Sequence, residues 1–148
     1  MSSPGSTGGA AAWRWAAAAL AAAFGVATIV SGGRVLFGPA AAREAAGAYL
    51  PLVVGFNFAA GFAYVAAAAG LALGKRWSAA LAAGIAVATL VVFATFGVHV
   101  ATGGAYERRT VVAMAFRSAF WLALAAVASR LIGARTARER PGAGPERE

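Results

Sequence analysis

Four long apolar stretches alternate with short polar segments along the chain. They predict helices over about residues 13–36, 50–73, 77–100 and 108–132. Each stretch reaches the length of about 20 residues that an α-helix needs to cross the hydrocarbon core of a bilayer. Because short turns make successive helices antiparallel neighbours, the pattern predicts an all-α protein, an integral membrane four-helix bundle with up-down-up-down connectivity.

The segments outside these stretches have a different character. Residues 1–10 are small, polar and turn-prone, and residues 133–148 are charged and interrupted by Pro and Gly. Both are predicted to be disordered tails that flank a membrane domain over residues 11–132. Between the first two long helices, Pro39 followed by AAAREAAGAY predicts a short helix on the outer surface, since Pro is well tolerated in a first helical turn.

The first apolar stretch has a second interpretation, as a secretory signal peptide. An arginine precedes its alanine-rich core, and small residues that could follow a cleavage site lie at Pro39–Ala42. These are the three parts of a cleaved leader. The long polar lead and a core of nearly membrane-spanning length favour a retained helix instead.

Composition agrees with a membrane protein and limits the chemistry. Hydrophobic residues make up 61% of the chain and charged residues 12%, against about 25% charged residues in soluble domains. The absence of cysteine excludes disulfides, thiolate metal sites and cysteine nucleophiles. The net charge of +8 is concentrated at the ends of the apolar stretches, where membrane insertion requires it. The expected partners are therefore the lipid bilayer and a membrane protein or second copy of the chain, and not nucleic acid.

The basic residues also predict an orientation. One side of the predicted bundle carries eight of them, namely Arg14, Lys75, Arg76, Arg130, Arg135, Arg138, Arg140 and Arg147. The other side carries four, namely Arg34, Arg43, Arg108 and Arg109. By the positive-inside rule both termini are cytoplasmic. Heavy use of Ala, Gly and Arg is typical of a high-GC bacterial genome, which points to the bacterial inner membrane.

Small residues at four-residue spacing predict the packing faces of the helices. Gly25, Gly55 and Gly84 each lie in such a stripe, on the first, second and third helices. Small side chains let helix backbones approach closely in a membrane, where hydrophobicity alone does not drive helix association. Because genome bias could supply the alanines of each stripe, the glycines are the stronger indication.

Arg117 is the most informative single residue. It lies nine residues inside the fourth predicted helix, roughly 14 Å along the axis and near the middle of a hydrocarbon core about 30 Å thick. A charge at that depth costs at least about 2.5 kcal/mol, so Arg117 is expected to face the bundle interior and to have a partner. It is either a structural clamp on backbone carbonyls or on Asn57, or a contact to a ligand.

Four other residues are expected near the outer end of the same bundle. Asn57 lies roughly 10 Å inside the second helix, as packing contact or as part of a site. His99 ends the third helix, either capped by a neighbour or handling protons or contacting a quinone. Glu107 either neutralises the arginines that follow it, Arg109 among them, or pairs with Arg117 or His99.

Together Asn57, His99, Glu107, Arg109 and Arg117 predict an outward-facing polar cluster. Such a cluster could hold an anion, a quinone head group or nothing. One histidine without cysteines or grouped carboxylates is not a metal site, and no cofactor is expected. The chain has no nucleophile elbow, phosphate loop, HExxH or paired-carboxylate motif, so an enzyme using His99 and Glu107 as acid and base is the least favoured hypothesis.

Residues 25–100 resemble the DoxX-like group of small bacterial four-helix membrane proteins. The features that carry the resemblance are SGGRVLFG after the first helix, NFAAGFAYVAAAAGLALGKRW, and a third helix that ends in His99. In that group a polar residue, commonly Glu, precedes a glycine by four positions. Here Asn57 precedes Gly61, and this departure puts any role of the family's carboxylate in doubt.

The resemblance implies an accessory subunit in membrane redox or sulfur metabolism. The leading hypothesis is therefore an accessory or interaction protein of the inner membrane without catalysis of its own. The alternative is an oligomeric transporter or channel for a small anion or neutral solute, with Arg117 in its path.

Overall fold

The computed structural model describes residues 7–138, and within that span it contains five helices and no strand. The helices are α1 (Thr7–Phe37), α2 (Ala40–Ala46), α3 (Pro51–Ala72), α4 (Trp77–Ala101) and α5 (Arg108–Arg138). Every helix except α2 contains a segment long and apolar enough to cross a membrane. The all-α prediction is thus confirmed, and the chain has the four candidate spans of a multi-pass membrane protein.

The ends of the helices differ from the predicted ones mainly towards the termini. The bounds of α3 and α4 lie within one residue of the prediction, and α2 occupies the predicted short helix. In contrast, α1 begins at Thr7, and α5 continues through Gly133 to Arg138. A single glycine in a helix interior costs only about 1 kcal/mol relative to Ala, which is too little to end a long helix. The remainder of the two predicted tails lies outside the described residues.

Among the helices of residues 7–138, α1 and α3 make the most extensive contact. A Cβ atom placed on Gly25 would lie 3.0 Å from the Gly61 carbonyl oxygen, and one on Gly61 would lie 2.6 Å from the Ile29 side chain. Both distances are shorter than van der Waals contact, so the backbones approach as closely as they do because side chains are absent at these two positions. We call this contact, formed by Gly25, Ile29 and Gly61, the α1–α3 seam.

The remaining long helices complete a bundle with one loose side. Helix α3 packs on α4 and α4 packs on α5, whereas α1 and α5 have the least extensive contact of the neighbouring pairs. Those two helices meet through aromatic rings, with the Phe24 ring centroid 5.9 Å from that of Phe116 and 4.9 Å from that of Phe120. We call this contact the α1–α5 seam.

The core is made of small residues and a few large aromatic ones. Tyr64 and Trp121 are fully buried at its centre, with ring centroids 4.4 Å apart. Alanines from all four long helices surround them. A smaller cluster of Val53, Phe96 and Met114 lies nearer to α2. The end of the bundle that carries α2, the last turn of α4 and the start of α5 is called the α2 end below.

Candidate functional site

Two charged side chains hold the end of α2 and the linker that follows it against the start of α5. The Glu107 carboxylate accepts a hydrogen bond from the Ala48 backbone N–H at 3.1 Å. The Arg109 guanidinium donates one to the Ala45 carbonyl oxygen at 2.6 Å. Gly47 between them has a φ of 66°, and a Cβ there would collide with the Glu107 carboxylate. The linker therefore requires glycine at position 47. Glu107 and Arg109 hold the linker and the end of α2 in place.

Arg117 lies deeper, on the face of α5 that points towards α1. Only 8% of its surface is exposed. Its guanidinium donates to the Thr28 hydroxyl at 3.5 Å and to the Met114 sulfur at 4.0 Å. It also lies 5.5 Å from the centroid of the Phe24 ring, which is within the range of a cation–π interaction. All of these contacts are weak for a buried charge.

No negative charge compensates Arg117 within the described residues. Glu44 and Glu107 are the only acidic residues between positions 7 and 138, and Glu107 is bonded to Ala48 instead. The Nε atom of Arg117 is buried and has no hydrogen-bond partner. Buried charges in proteins are normally paired, so this guanidinium is incompletely satisfied by the chain itself.

Asn57 reaches the same place from α3. Its amide nitrogen contacts the Met114 sulfur at 3.9 Å, and its amide oxygen is buried without a partner. Asn57 and Arg117 thus lie on either side of Met114 and do not bond each other directly. Sulfur is a weak acceptor, so both polar groups keep unused hydrogen-bonding capacity.

These residues line an open cavity of about 370 Å³ at the α2 end. Arg117 and Asn57 form its deep part, and Arg109 and Tyr49 line it nearer to α2. The rest of the wall is mostly aliphatic, and its described residues include two arginines and no acid. A volume of this size lies in the usual range for ligand pockets, about 300–1,000 Å³.

A second groove adjoins this cavity along α1. It has a volume of about 680 Å³ and shares Ser31, Val35, Ala46 and Arg109 with the cavity. It continues past Ala27 and Val30, which are exposed on the side of the bundle. The site therefore continues sideways into a groove lined by α1 and α2, with Arg109 as its one residue from α5. We call this opening the lateral groove.

The five residues of the predicted cluster do not all come together. Asn57, Arg109 and Arg117 line the cavity, and Glu107 secures the linker beside it. His99 lies apart from the cavity lining, with its Nε2 atom 3.2 Å from the Ala105 carbonyl oxygen in the loop that follows α4.

Sequence reasoning missed several residues that surround Arg117. Met114 and Thr28 are its nearest polar contacts, while Tyr64, Thr89 and Trp121 are buried beneath it, each with a polar atom that lacks a well-formed hydrogen bond. Helical spacing carried a signal for two of them. Tyr64 follows Asn57 by seven positions and Trp121 follows Arg117 by four, which places each pair on one helix face.

No family model matches the chain, and no curated protein and no solved structure shows significant similarity to it.

Proposed function

We propose that this protein is a multi-pass protein of the bacterial inner membrane, with up-down-up-down helices and both termini in the cytoplasm. Its role is that of a DoxX-like accessory or interaction subunit without catalysis of its own, and it binds a ligand in the cavity at the α2 end. The four apolar helices support the membrane location, and the excess of basic residues on the side of the termini supports the orientation.

The observation that carries the binding role is the state of Arg117. A structural clamp should be saturated by carbonyls or by a carboxylate, since an ionised side chain in a membrane interior normally pairs. Here the guanidinium has a hydroxyl, a sulfur and an aromatic ring as neighbours, and its Nε atom has no partner. It also lines an open cavity. A ligand that supplies the missing acceptor explains both features.

A transport path along the bundle axis is less well supported than binding. Such a path would have to pass Tyr64 and Trp121, which are fully buried and pack ring against ring in the core. Met114, also fully buried, fills the space between Asn57 and Arg117. In one copy of the chain the cavity is therefore open at the α2 end and blocked at its inner end, which favours a binding pocket over a conduit.

Thermal unfolding of the purified protein in a non-ionic detergent tests the binding role. Wild type and Arg117→Met are compared with and without a panel of organic anions, inorganic anions and quinones. We expect the ligand-free variant to be at least as stable as wild type, because Met keeps the length and removes an uncompensated buried charge. Only wild type should be stabilised by a ligand. Arg130→Met, an exposed arginine on the same helix, is the control and should behave as wild type. Earlier unfolding of Arg117→Met, with no ligand shifting either protein, would establish a clamp instead.

Cysteine labelling tests the membrane topology separately, since the chain has no native cysteine. Ala105→Cys lies in the loop after α4, and Leu73→Cys lies at the turn after α3. In intact cells a membrane-impermeant maleimide should label Ala105→Cys alone. Labelling of Leu73→Cys alone would show the opposite orientation, with both termini outside.

A further inference from the structure

We propose that the cavity binds the head group of a single-chain amphiphilic anion, an alkyl carboxylate or alkyl phosphate, which enters from the side through the lateral groove. This inference rests on the proposed binding function and names its ligand class. The shared chemistry is an anionic oxygen head on an apolar tail.

The charges that line the cavity select the head group. Arg117 lies at its deep end and Arg109 nearer to α2, and no described lining residue is acidic. A carboxylate or phosphate would supply the negative charge that no described residue offers to Arg117. Two of its oxygens can accept hydrogen bonds from two N–H groups of the guanidinium at once. The Asn57 amide contacts only a sulfur atom, so it can bond the same head group.

The shape of the site selects the tail and the route. The lateral groove runs from the cavity past Val30, which is 51% exposed on the side of the bundle, to Ala27. Ser31, Arg34 and Arg109 also line it towards the α2 end, so its polar part lies near the head-group site and its far part is apolar. In a bilayer this side faces lipid. An alkyl chain lying along Ala27, Val30 and Val35 stays in an apolar environment while its head reaches Arg117. A free hydrophilic anion would gain nothing from the apolar far part of the groove at Ala27 and Val30.

Binding is measured in lipid nanodiscs with a series of ligands that share a twelve-carbon tail. Dodecanoate and dodecyl phosphate carry an anion, dodecanol is neutral and dodecylammonium is cationic, while acetate and inorganic phosphate carry the anion without the tail. We expect the two amphiphilic anions to raise the unfolding temperature. Dodecanol should bind at least about tenfold more weakly, because its hydroxyl has no negative charge and no second oxygen to pair with the guanidinium. Dodecylammonium, acetate and phosphate should give no shift at the same concentrations.

Variants at the head-group site give the matching loss. Arg117→Met should abolish the shift by dodecanoate. Arg117→Lys keeps the charge without the fork, so it should bind dodecanoate about tenfold more weakly and still discriminate against dodecanol. Arg117→Lys also keeps the test informative if Arg117→Met does not fold.

Variants along α1 test the route. Val30 lines the lateral groove, whereas Val26, one turn earlier and equally exposed at 54%, does not line it. Val30→Trp should lower dodecanoate affinity by about tenfold or more by filling the groove, and Val26→Trp should leave it unchanged.

The outcomes separate the two proposals. If acetate or phosphate binds as tightly as dodecanoate, or if Val30→Trp is harmless, the ligand comes from the aqueous phase and the amphiphile inference fails while the binding function stands. If dodecanol binds as well as dodecanoate, anion recognition is wrong. If no compound from this series or from the quinone panel stabilises wild type and Arg117→Met unfolds earlier, the proposed function itself fails.

Discussion

Helix α1 packs against two long helices as well as the short α2, and its contacts with the two long helices differ in kind. Against α3 the glycine pair of the α1–α3 seam brings backbone to within contact of backbone. Against α5 the rings of Phe24, Phe116 and Phe120 hold the two helices apart. The glycine contact and the ring contacts are both apolar, so side-chain size sets how closely each pair of helices approaches. The α1–α5 side differs further in carrying the hydrogen bond from Arg117 to Thr28. The looser packing at the α1–α5 seam leaves the space that holds Arg117, and the lateral groove adjoins that space between α1 and α2.

The largest effect is expected from a side chain introduced into the α1–α3 seam. In Gly25→Val the new Cβ would lie 3.0 Å from the Gly61 carbonyl oxygen, and backbone cannot move aside as a side chain can. Overpacking of this kind destabilises by about 1–3 kcal/mol. The measurement is reversible unfolding in mixed SDS and non-ionic detergent micelles.

The matched control is Gly97→Val on α4. A Cβ at Gly97 would have no atom within 4 Å, so this variant changes helix propensity alone and should differ from wild type by less than about 1 kcal/mol. Equal losses for the two variants would mean that the α1–α3 seam is not closed by its glycines.

The second-largest effect is expected at the α1–α5 seam. Phe24 contacts Phe116 and Phe120 on α5 and lies under the Arg117 guanidinium. Phe24→Leu keeps most of the apolar volume but removes the ring interactions, which are worth about 0.5–1.5 kcal/mol per aromatic pair. We expect a loss of about 1–2 kcal/mol in the same unfolding assay.

Phe62→Leu is the control for ring loss on an exposed face. The Phe62 side chain is 55% exposed, and its one described ring contact is with Phe58 on its own helix. A loss below about 0.5 kcal/mol is expected, as for most surface substitutions. If Phe62→Leu is as damaging as Phe24→Leu, the aromatic bridge does not brace α1 against α5.

The contrast between the seams also marks the limit of what the sequence could predict. Hydropathy located α3 and α4 to within one residue, because a bilayer-length apolar run is a strong signal. It could not choose the packing glycines. Gly55 and Gly84 were predicted at packing faces, yet a Cβ on either would meet nothing within 4 Å. Gly25 lies in the α1–α3 seam as predicted, whereas Gly61, which faces it there, was not among the predicted packing glycines. Helices that are apolar all round carry no amphipathic pattern that reveals the inward face.

The candidate site was predictable in depth but not in its contacts. Counting residues from the helix ends placed Asn57 and Arg117 at similar depth, and both line one cavity. The methionine between them and the bond from Glu107 to Ala48, 59 residues away in the chain, depend on how three helices and a linker meet. No local pattern encodes such long-range contacts. Depth follows from rise per residue, whereas partners follow from packing.

The third effect concerns the hydrogen bond by which Glu107 holds the linker between α2 and α3. Glu107→Gln weakens the acceptor for the Ala48 N–H, and we expect a loss of about 1 kcal/mol, since this partly exposed bond is worth less than a buried charged one. The readout is thermal unfolding, together with faster hydrogen exchange at Ala48. Glu44→Gln, an exposed acid on α2, should change neither. Unaltered exchange at Ala48 in Glu107→Gln would show that the carboxylate does not hold the linker.

The smallest effect is expected at His99. This variant tests whether a ligand binds in the cavity at Arg117 or against the loop that follows α4. Its ring bonds one carbonyl, that of Ala105, and it does not line the cavity. Gln offers an amide donor of similar reach, so His99→Gln should change stability by less than about 0.5 kcal/mol and leave dodecanoate binding intact. If His99→Gln instead abolishes binding while Arg117→Met does not, the ligand lies against the loop after α4. The space at the α1–α5 seam would then result from the size of the aromatic side chains alone, and no ligand would be needed to explain it.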